Sequence, residues 1–275
     1  MRNNRIIKII IGFICTVLLF FLSIGGSFYT ALANEEFMNE QMKQANYIEK
    51  VTREINGRVQ SYHQEARVAP EVLADSVSED LVKKNIEHFV KETYRDGQPE
   101  LIQVTELEEH IKEMIHTYKT EHDIDIEEGV AGEELALHMI IGIFERSVQP
   151  SYLYLFIQGI NELREQVHTY AWVIASVSVL IFVGFIYLNP GSIRSRIKKF
   201  SFSLVGAGVI SLAFAATLYY AQILQIEEQM DSLQDLMRTY LTNFAFVLLF
   251  IGGSEILVGG FAWIITKREK KKAKQ

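Results

Sequence analysis

The stretch FYTALANEEF, residues 28–37, lies where a long apolar run ends and the first acidic side chains appear. Within it, Ala31-Leu32-Ala33 has the small-x-small form that signal peptidase cleaves. A cleavable signal has an apolar region of about 7–15 residues, whereas residues 9–24 already form an uncharged run longer than that. We therefore expect residues 1–33 to be retained as a signal anchor, with cleavage after Ala33 as the alternative.

Three further apolar stretches follow the first one. They cover residues 170–188, 200–220 and 241–266, and the first covers residues 6–32. Lys8 and Glu255 are the only charged side chains in the four stretches. A helix rises about 1.5 Å per residue, so roughly 20 residues cross a hydrocarbon core of about 30 Å. The sequence therefore predicts four transmembrane helices.

The charges alternate in sign between the segments that join these stretches. Residues 34–169 hold 28 acidic and 13 basic side chains, and residues 221–240 are also acidic, whereas residues 1–8, 189–199 and 267–275 are basic. Short loops rich in Lys and Arg stay in the cytoplasm. Both termini and the 189–199 loop are therefore expected inside, and the two acidic segments outside the membrane.

The sequence predicts helices throughout the outer segment, residues 34–169. Apolar residues from Met38 to Ala66 step by three and four, which predicts one long helix continuing from the first span. Ser76 with Glu79 and Thr105 with Glu108 have the form of capping boxes that open two more helices. A fourth helix, residues 133–144, is apolar nearly all round and is expected to be the buried element, and a fifth runs from Ser151 into the second span.

The predicted fold is an all-α membrane protein with four transmembrane helices and an extracytoplasmic helical-bundle domain inserted between the first two. Its segments are the N-terminus with the first span (1–33), the outer domain (34–169), the second span (170–188), the basic loop (189–199), the third span (200–220), the short acidic loop (221–240), the fourth span (241–266) and the basic tail (267–275).

One acidic stretch in the outer domain has oxygen ligands at the spacing of a calcium loop. Asp123, Asp125, Glu127 and Glu134 occupy positions 1, 3, 5 and 12, with Val130 at position 8. These 12 residues resemble an EF-hand loop, which implies calcium as a ligand. The stretch departs from that pattern at position 6, where Glu128 replaces the glycine of the sharp turn. The alternative is an acidic connector whose glutamates favour the start of the next helix.

Glu255 lies well inside the fourth apolar stretch, where a carboxylate facing lipid would cost about 3 kcal/mol. Gly252 and Gly259 share its helix face. The third stretch carries small residues every four positions, at Ser203, Ala207, Ser211 and Ala215. Small side chains allow close helix packing in membranes. We expect spans three and four to pack through these faces, with the Glu255 carboxyl hydrogen-bonded near Ser211 or to a partner protein.

The basic clusters lie next to predicted membrane spans, so anionic lipid headgroups are their expected partners rather than nucleic acid. These residues are Arg194, Arg196, Lys198, Lys199, Lys270, Lys271 and Lys272.

No phosphate-binding loop, metalloprotease motif or nucleophile elbow occurs in the sequence. The expected function is therefore non-enzymatic: a sensor, regulatory or accessory protein of the bacterial plasma membrane whose outer domain binds a ligand, a membrane or envelope protein, or a second copy. The alternative is a subunit of an oligomeric transporter or channel that uses Glu255. Apart from calcium, no cofactor is expected.

Overall fold

The computed structural model describes residues 2–124, 130–188, 192–222 and 231–272. Every regular element in these ranges is helical, which confirms the predicted all-α class. The elements are α1 (Arg2–Ser27), a π-helical turn (Phe28–Leu32), α2 (Glu35–Gln44), α3 (Tyr47–Gln60), α4 (His63–Ala66), α5 (Pro70–Leu73), α6 (Glu79–Tyr94), α7 (Val104–Glu121), α8 (Val130–Val148), α9 (Ser151–Leu188), α10 (Ile193–Gln222) and α11 (Asp231–Lys272).

Three helical segments in the described ranges are long and apolar enough to cross a membrane, namely Ile6–Leu32, Ile193–Tyr220 and Asp231–Lys267. They are compatible with a multi-pass membrane protein. The expected second span, residues 170–188, forms the last part of α9. It contributes a fourth crossing only if Gly132–Val173 and Ala175–Tyr187, which meet at a bend of 42°, are counted as one span.

The chain divides into two compact units. The first, here called the helical domain, comprises Met38–Glu162 and Glu227–Met237. The second, here called the spanning unit, comprises Met1–Phe37, Leu163–Ile226 and Arg238–Gln275. Helices α9 and α11 therefore each begin in the helical domain and end in the spanning unit.

Helix α8 is the central element of the helical domain. Its buried side chains share one face, and α8 contacts α3, α4, α6 and α7. Residues 133–144 were expected to be the buried element, and α8 is buried on this one face, while Leu135 on the opposite face is exposed. The fully buried core side chains around it include Val51, Ile55, Val59, Val82, Ile86, Phe89, Ile111, Ile115, Ile140, Phe144, Leu153 and Ile157.

The predicted long helix over residues 38–66 is wrong, because the backbone breaks twice. The first break comes between α2 and α3 at Asn46, which adopts a left-handed conformation with φ of 50°. Asparagine tolerates this region better than most residues. The second break separates α3 from the short α4. The apolar stripe is nevertheless buried, because the separate helices keep the same inward face.

Both predicted capping boxes are displaced from the actual helix starts. Helix α6 is capped by Ser78, whose side chain accepts a hydrogen bond from the Leu81 amide at 3.3 Å, while the hydroxyl of Ser76 donates to the Leu73 carbonyl. Helix α7 begins at Val104 after Gln103, which has a φ of 58° and no side-chain cap. Ser76 and Ser78 are both possible N-cap residues two positions apart, and residue type alone does not show which of them caps α6.

The second half of the expected acidic loop, residues 231–240, is helical. Helix α11 begins at Asp231, and its first turns bury Leu233, Leu236 and Met237. The carboxylate of Glu54, on α3, accepts hydrogen bonds from the Ser232 amide at 2.9 Å and the Ser232 hydroxyl at 2.8 Å. A carboxylate at a helix start satisfies a free amide and opposes the positive end of the helix dipole.

In the spanning unit, the end of the first span is attached to α11. The π-helical turn is followed by Ala33, and the Leu32 carbonyl accepts a hydrogen bond from the Tyr240 hydroxyl at 3.0 Å. The Tyr240 ring also packs edge-on against Phe37, with 5.3 Å between ring centroids. Ala31, Ala215, Phe244 and Leu248 form a buried apolar cluster beside this contact.

Candidate functional site

Helices α10 and α11 approach each other backbone to backbone. A Cβ atom added to Gly208 would lie 2.5 Å from the Gly252 carbonyl oxygen, and one added to Gly252 would lie 2.9 Å from the Gly208 oxygen. Gly259 faces the Ser201 carbonyl and Val205 of α10 at similarly short distances. Gly252 and Gly259, singled out in the sequence, therefore lie at this contact, together with Gly208, which was not.

The small residues of α10 pack against two neighbouring helices, α1 and α11. The Ser203 hydroxyl donates to the Gly12 carbonyl of α1 at 3.0 Å, and Gly206 faces Thr16 of α1. Ser211 instead lies against Gly252 of α11. Ala207 and Ala215 are fully buried. The small side chains of α10 thus admit α1 as well as α11, which the expectation of a two-helix packing did not include.

Glu255 lies where α1, α10 and α11 meet. Its Oε1 accepts a hydrogen bond from the Ser23 hydroxyl of α1. The fully buried Ser211 is close enough to interact with the same carboxyl group. Within the described part of the chain, however, neither Ser211 Oγ nor Glu255 Oε2 has a partner in good hydrogen-bond geometry. The sequence could not identify Ser23 as the partner, because it lies 232 positions away.

Part of the predicted calcium loop lies outside the residues that the structure describes. Asp125 and Glu127 lie outside the described residues. Asp123 has a left-handed backbone, with φ of 51°, and both it and Glu134 are exposed. Among the described residues no group of three or more His, Cys, Asp or Glu side chains is placed to hold a metal ion.

Glu133, which precedes the predicted calcium ligand Glu134, has a structural role that was not predicted. Glu133, on α8, forms an ion pair at 2.7 Å with Lys119, on α7. The Lys119 side chain is only 1% exposed, and that of Glu133 is 22% exposed. A buried ammonium requires a partner of opposite charge, so this pair constrains how α7 meets α8.

A cavity of about 280 Å³ lies in the helical domain, beside the break between α2 and α3. Asn39 and the fully buried Tyr47 are among its lining residues, and their side-chain oxygens are buried without a hydrogen-bond partner in the described ranges. Burial, together with the negative charge of Glu54, raises the pKa of Tyr47, so its hydroxyl stays neutral at ordinary pH. The charged lining residues are Lys43, Glu49, Glu79, Lys83 and Glu87.

The basic residues assigned to lipid headgroups lie at helix ends. Arg194, Arg196, Lys198 and Lys199 occupy the first turns of α10, of which Arg194 is exposed and the others half-buried. Lys270, Lys271 and Lys272 lie in the last turn of α11. The expected linker of residues 189–199 is thus helical from Ile193 onward.

Comparisons with protein-family models, curated proteins and solved structures found no match to this chain.

Proposed function

We propose that this chain is a multi-pass protein of a bacterial plasma membrane whose helical domain lies outside the cell and binds a small polar ligand or a protein partner. The observation that carries the proposal is the cavity beside Asn46. Buried polar atoms are nearly always hydrogen-bonded. Two oxygens without a partner among the described residues, on side chains that line one cavity, therefore favour a ligand that supplies the missing bonds. Its volume is close to the lower limit of small-molecule pockets, about 300 Å³.

The proposed topology has four crossings, including residues 170–188. The charge pattern supports it, because every basic segment then faces the cytoplasm and every acidic one faces outward. The partners in this proposal are the bilayer itself and a membrane or envelope protein. A second copy of the chain would serve the same role in a homo-oligomer.

Helix α11 gives such a protein a route for regulation. The Glu54 carboxylate holds the start of α11, and Lys50 forms an ion pair with Asp235 one turn later at 2.7 Å. The same helix carries Glu255. A ligand that displaces α3 would therefore move the start of the helix that carries this half-buried carboxyl.

The topology is tested with single cysteines. Cys15 is the only cysteine, so Cys15→Ala provides a cysteine-free background. In that background, Glu121→Cys and Ser192→Cys each expose one thiol at an exposed position. A membrane-impermeant maleimide applied to intact cells is expected to label position 121 and to spare position 192 until the cells are lysed. The reverse pattern would refute the topology.

Ligand binding is tested by thermal unfolding of the full chain with amino acids, dicarboxylic acids and polyamines. A ligand at 100 times its Kd stabilises the folded state by about 2.7 kcal/mol. The gain should shrink in Tyr47→Phe, which loses the unpartnered hydroxyl, and should persist in Tyr62→Phe, which is not a lining residue. If every compound that stabilises the wild type stabilises both variants equally, the cavity is not the binding site.

The second candidate function is ion or proton movement through an oligomer. The Oε2 of Glu255 and the Oγ of Ser211, both unpartnered among the described residues, favour it, because these oxygens could coordinate a cation, and a proton on the carboxyl would supply a hydrogen-bond donor. Glu255→Gln preserves the shape of the side chain and removes its charge. If Glu255 serves packing, the variant assembles normally and no flux into liposomes is altered; loss of a wild-type flux with assembly intact would establish the transport role.

A further inference from the structure

An apolar groove of about 350 Å³ opens in the spanning unit beside the first turns of α10. The Phe200 ring contacts Phe182 and Phe185 of α9, with ring centroids 6.3 and 6.2 Å apart. Before these rings, Val179 and Leu180 of α9 are exposed. The ring contacts between α9 and α10 therefore lie near the C-terminal end of α9. The lining residues are Phe182, Phe185, Ile186, Ile193, Arg196, Ile197, Phe200, Ser201, Leu204, Val258 and Ala262.

The groove presents one charged group and little other polarity. Arg196 is the only charged side chain among the described residues that line the groove. The one hydroxyl in the lining, that of Ser201, already donates to the Ile197 carbonyl at 2.8 Å. A ligand that fits this chemistry has a long apolar part and an anionic end, because a polar molecule would find no further hydrogen bonds along the walls.

The charge around the groove has the sign that such an anion requires. Arg194, Lys198 and Lys199 lie in the same turns of α10 as Arg196. Their combined charge favours a headgroup with net negative charge over a zwitterionic one, since each basic residue near a membrane surface contributes to the attraction of anionic lipid. Helix α10 is also one of the segments apolar enough to span a membrane. The inference rests on the proposed function in this respect, because in the proposed topology lipid surrounds α10.

We infer that this groove is a binding site for an anionic phospholipid, which inserts an acyl chain along Phe200 and Leu204 and places its phosphate at Arg196. The guanidinium donates two hydrogen bonds to phosphate oxygens in a geometry that a lysine cannot reproduce. The lipid belongs to the leaflet that borders the 189–199 segment. It fills the space between α9 and α10 that protein side chains leave open.

The test uses the full chain purified in detergent and titrated with phosphatidylglycerol or phosphatidylcholine, with bound lipid counted by native mass spectrometry. The wild type is expected to bind one phosphatidylglycerol in preference to phosphatidylcholine. Arg196→Gln should weaken phosphatidylglycerol binding by more than roughly tenfold, because it removes the charge-assisted hydrogen bonds to the phosphate as well as the charge, whereas the charge of one basic residue near a membrane surface accounts for only about fivefold. Arg194→Gln is the matched control, because Arg194 is exposed and does not line the groove.

A second variant tests the apolar half of the site. Ala262→Phe places a ring in the groove and should lower the affinity for both lipids by roughly tenfold, since excluded methylenes lose their burial. Glycerol phosphate, which has the anion without the chain, should not bind. Equal binding of both lipids by the wild type, or equal effects of Arg196→Gln and Arg194→Gln, would overturn the inference. Competition by glycerol phosphate would overturn it as well, because the site would then recognise free phosphate.

Discussion

The contact between Gly208 and Gly252 predicts opposite effects for two chemically identical substitutions. Gly208→Ala places a methyl group 2.5 Å from the Gly252 carbonyl oxygen and 2.8 Å from the Ile256 side chain. A carbon rests about 3.3–3.6 Å from a carbonyl oxygen, so α10 and α11 must separate by several tenths of an ångström. Gly253→Ala is the matched control, because no atom lies within 4 Å of its added methyl.

The magnitudes follow from this geometry. Overpacking against a backbone that cannot retract destabilises by about 1–3 kcal/mol, whereas alanine in place of glycine in an open helix position stabilises by about 0.5–1 kcal/mol. The two variants should therefore differ by about 1.5–4 kcal/mol in free energy of unfolding. Unfolding by SDS in mixed micelles, followed by circular dichroism, measures that difference. Equal stability of the two variants would show that α10 and α11 do not meet at these glycines.

Three further predictions concern the helical domain. Glu133→Gln leaves the Lys119 ammonium buried without a counter-charge and should destabilise the domain by about 3 kcal/mol. Lys119→Met removes the buried charge itself and should destabilise the domain by less. Unfolding of both variants by urea measures the difference. Asn85→Ala removes two hydrogen bonds to the backbone of Ile102, at 2.8 and 3.0 Å, and should cost about 1–3 kcal/mol and expose the Ile102 amide to hydrogen exchange. The folded state holds the Tyr47 proton above the ordinary tyrosine pKa, so stability should fall as pH rises above about 10, by up to roughly 1.4 kcal/mol per pH unit. Tyr47→Phe should lose that part of the slope, and an unchanged slope would contradict the assignment.

The sequence predicted the helical class because apolar spacing is a local property. The stripe from Met38 to Ala66 has a 3.6-residue period and is divided among α2, α3 and α4 in the structure. The run from Ser151 into residues 170–188 forms one helix, α9. The break at Asn46 was not foreseen, because the apolar stripe continues across it without a proline or glycine. A left-handed residue interrupts the backbone without altering the hydrophobic pattern.

The candidate site was less accessible from sequence than the fold. Glu255, Gly252 and Gly259 stand out because a carboxyl and paired glycines are conspicuous in an apolar run. Ser23 and Glu54 do not stand out, since each acts on a residue far along the chain, Glu255 and Ser232 respectively. Such pairings depend on which helices become neighbours, and helical periodicity carries no information about that.

The bond between Tyr240 and Leu32 has an unequal consequence for tolerance to mutation. The donor is a side-chain hydroxyl, but the acceptor is a backbone carbonyl. Any amino acid at position 32 supplies that acceptor, whereas at position 240 even phenylalanine removes the donor. Natural variation at these two sites should therefore be lopsided, with position 32 free to drift among apolar residues and position 240 held to tyrosine.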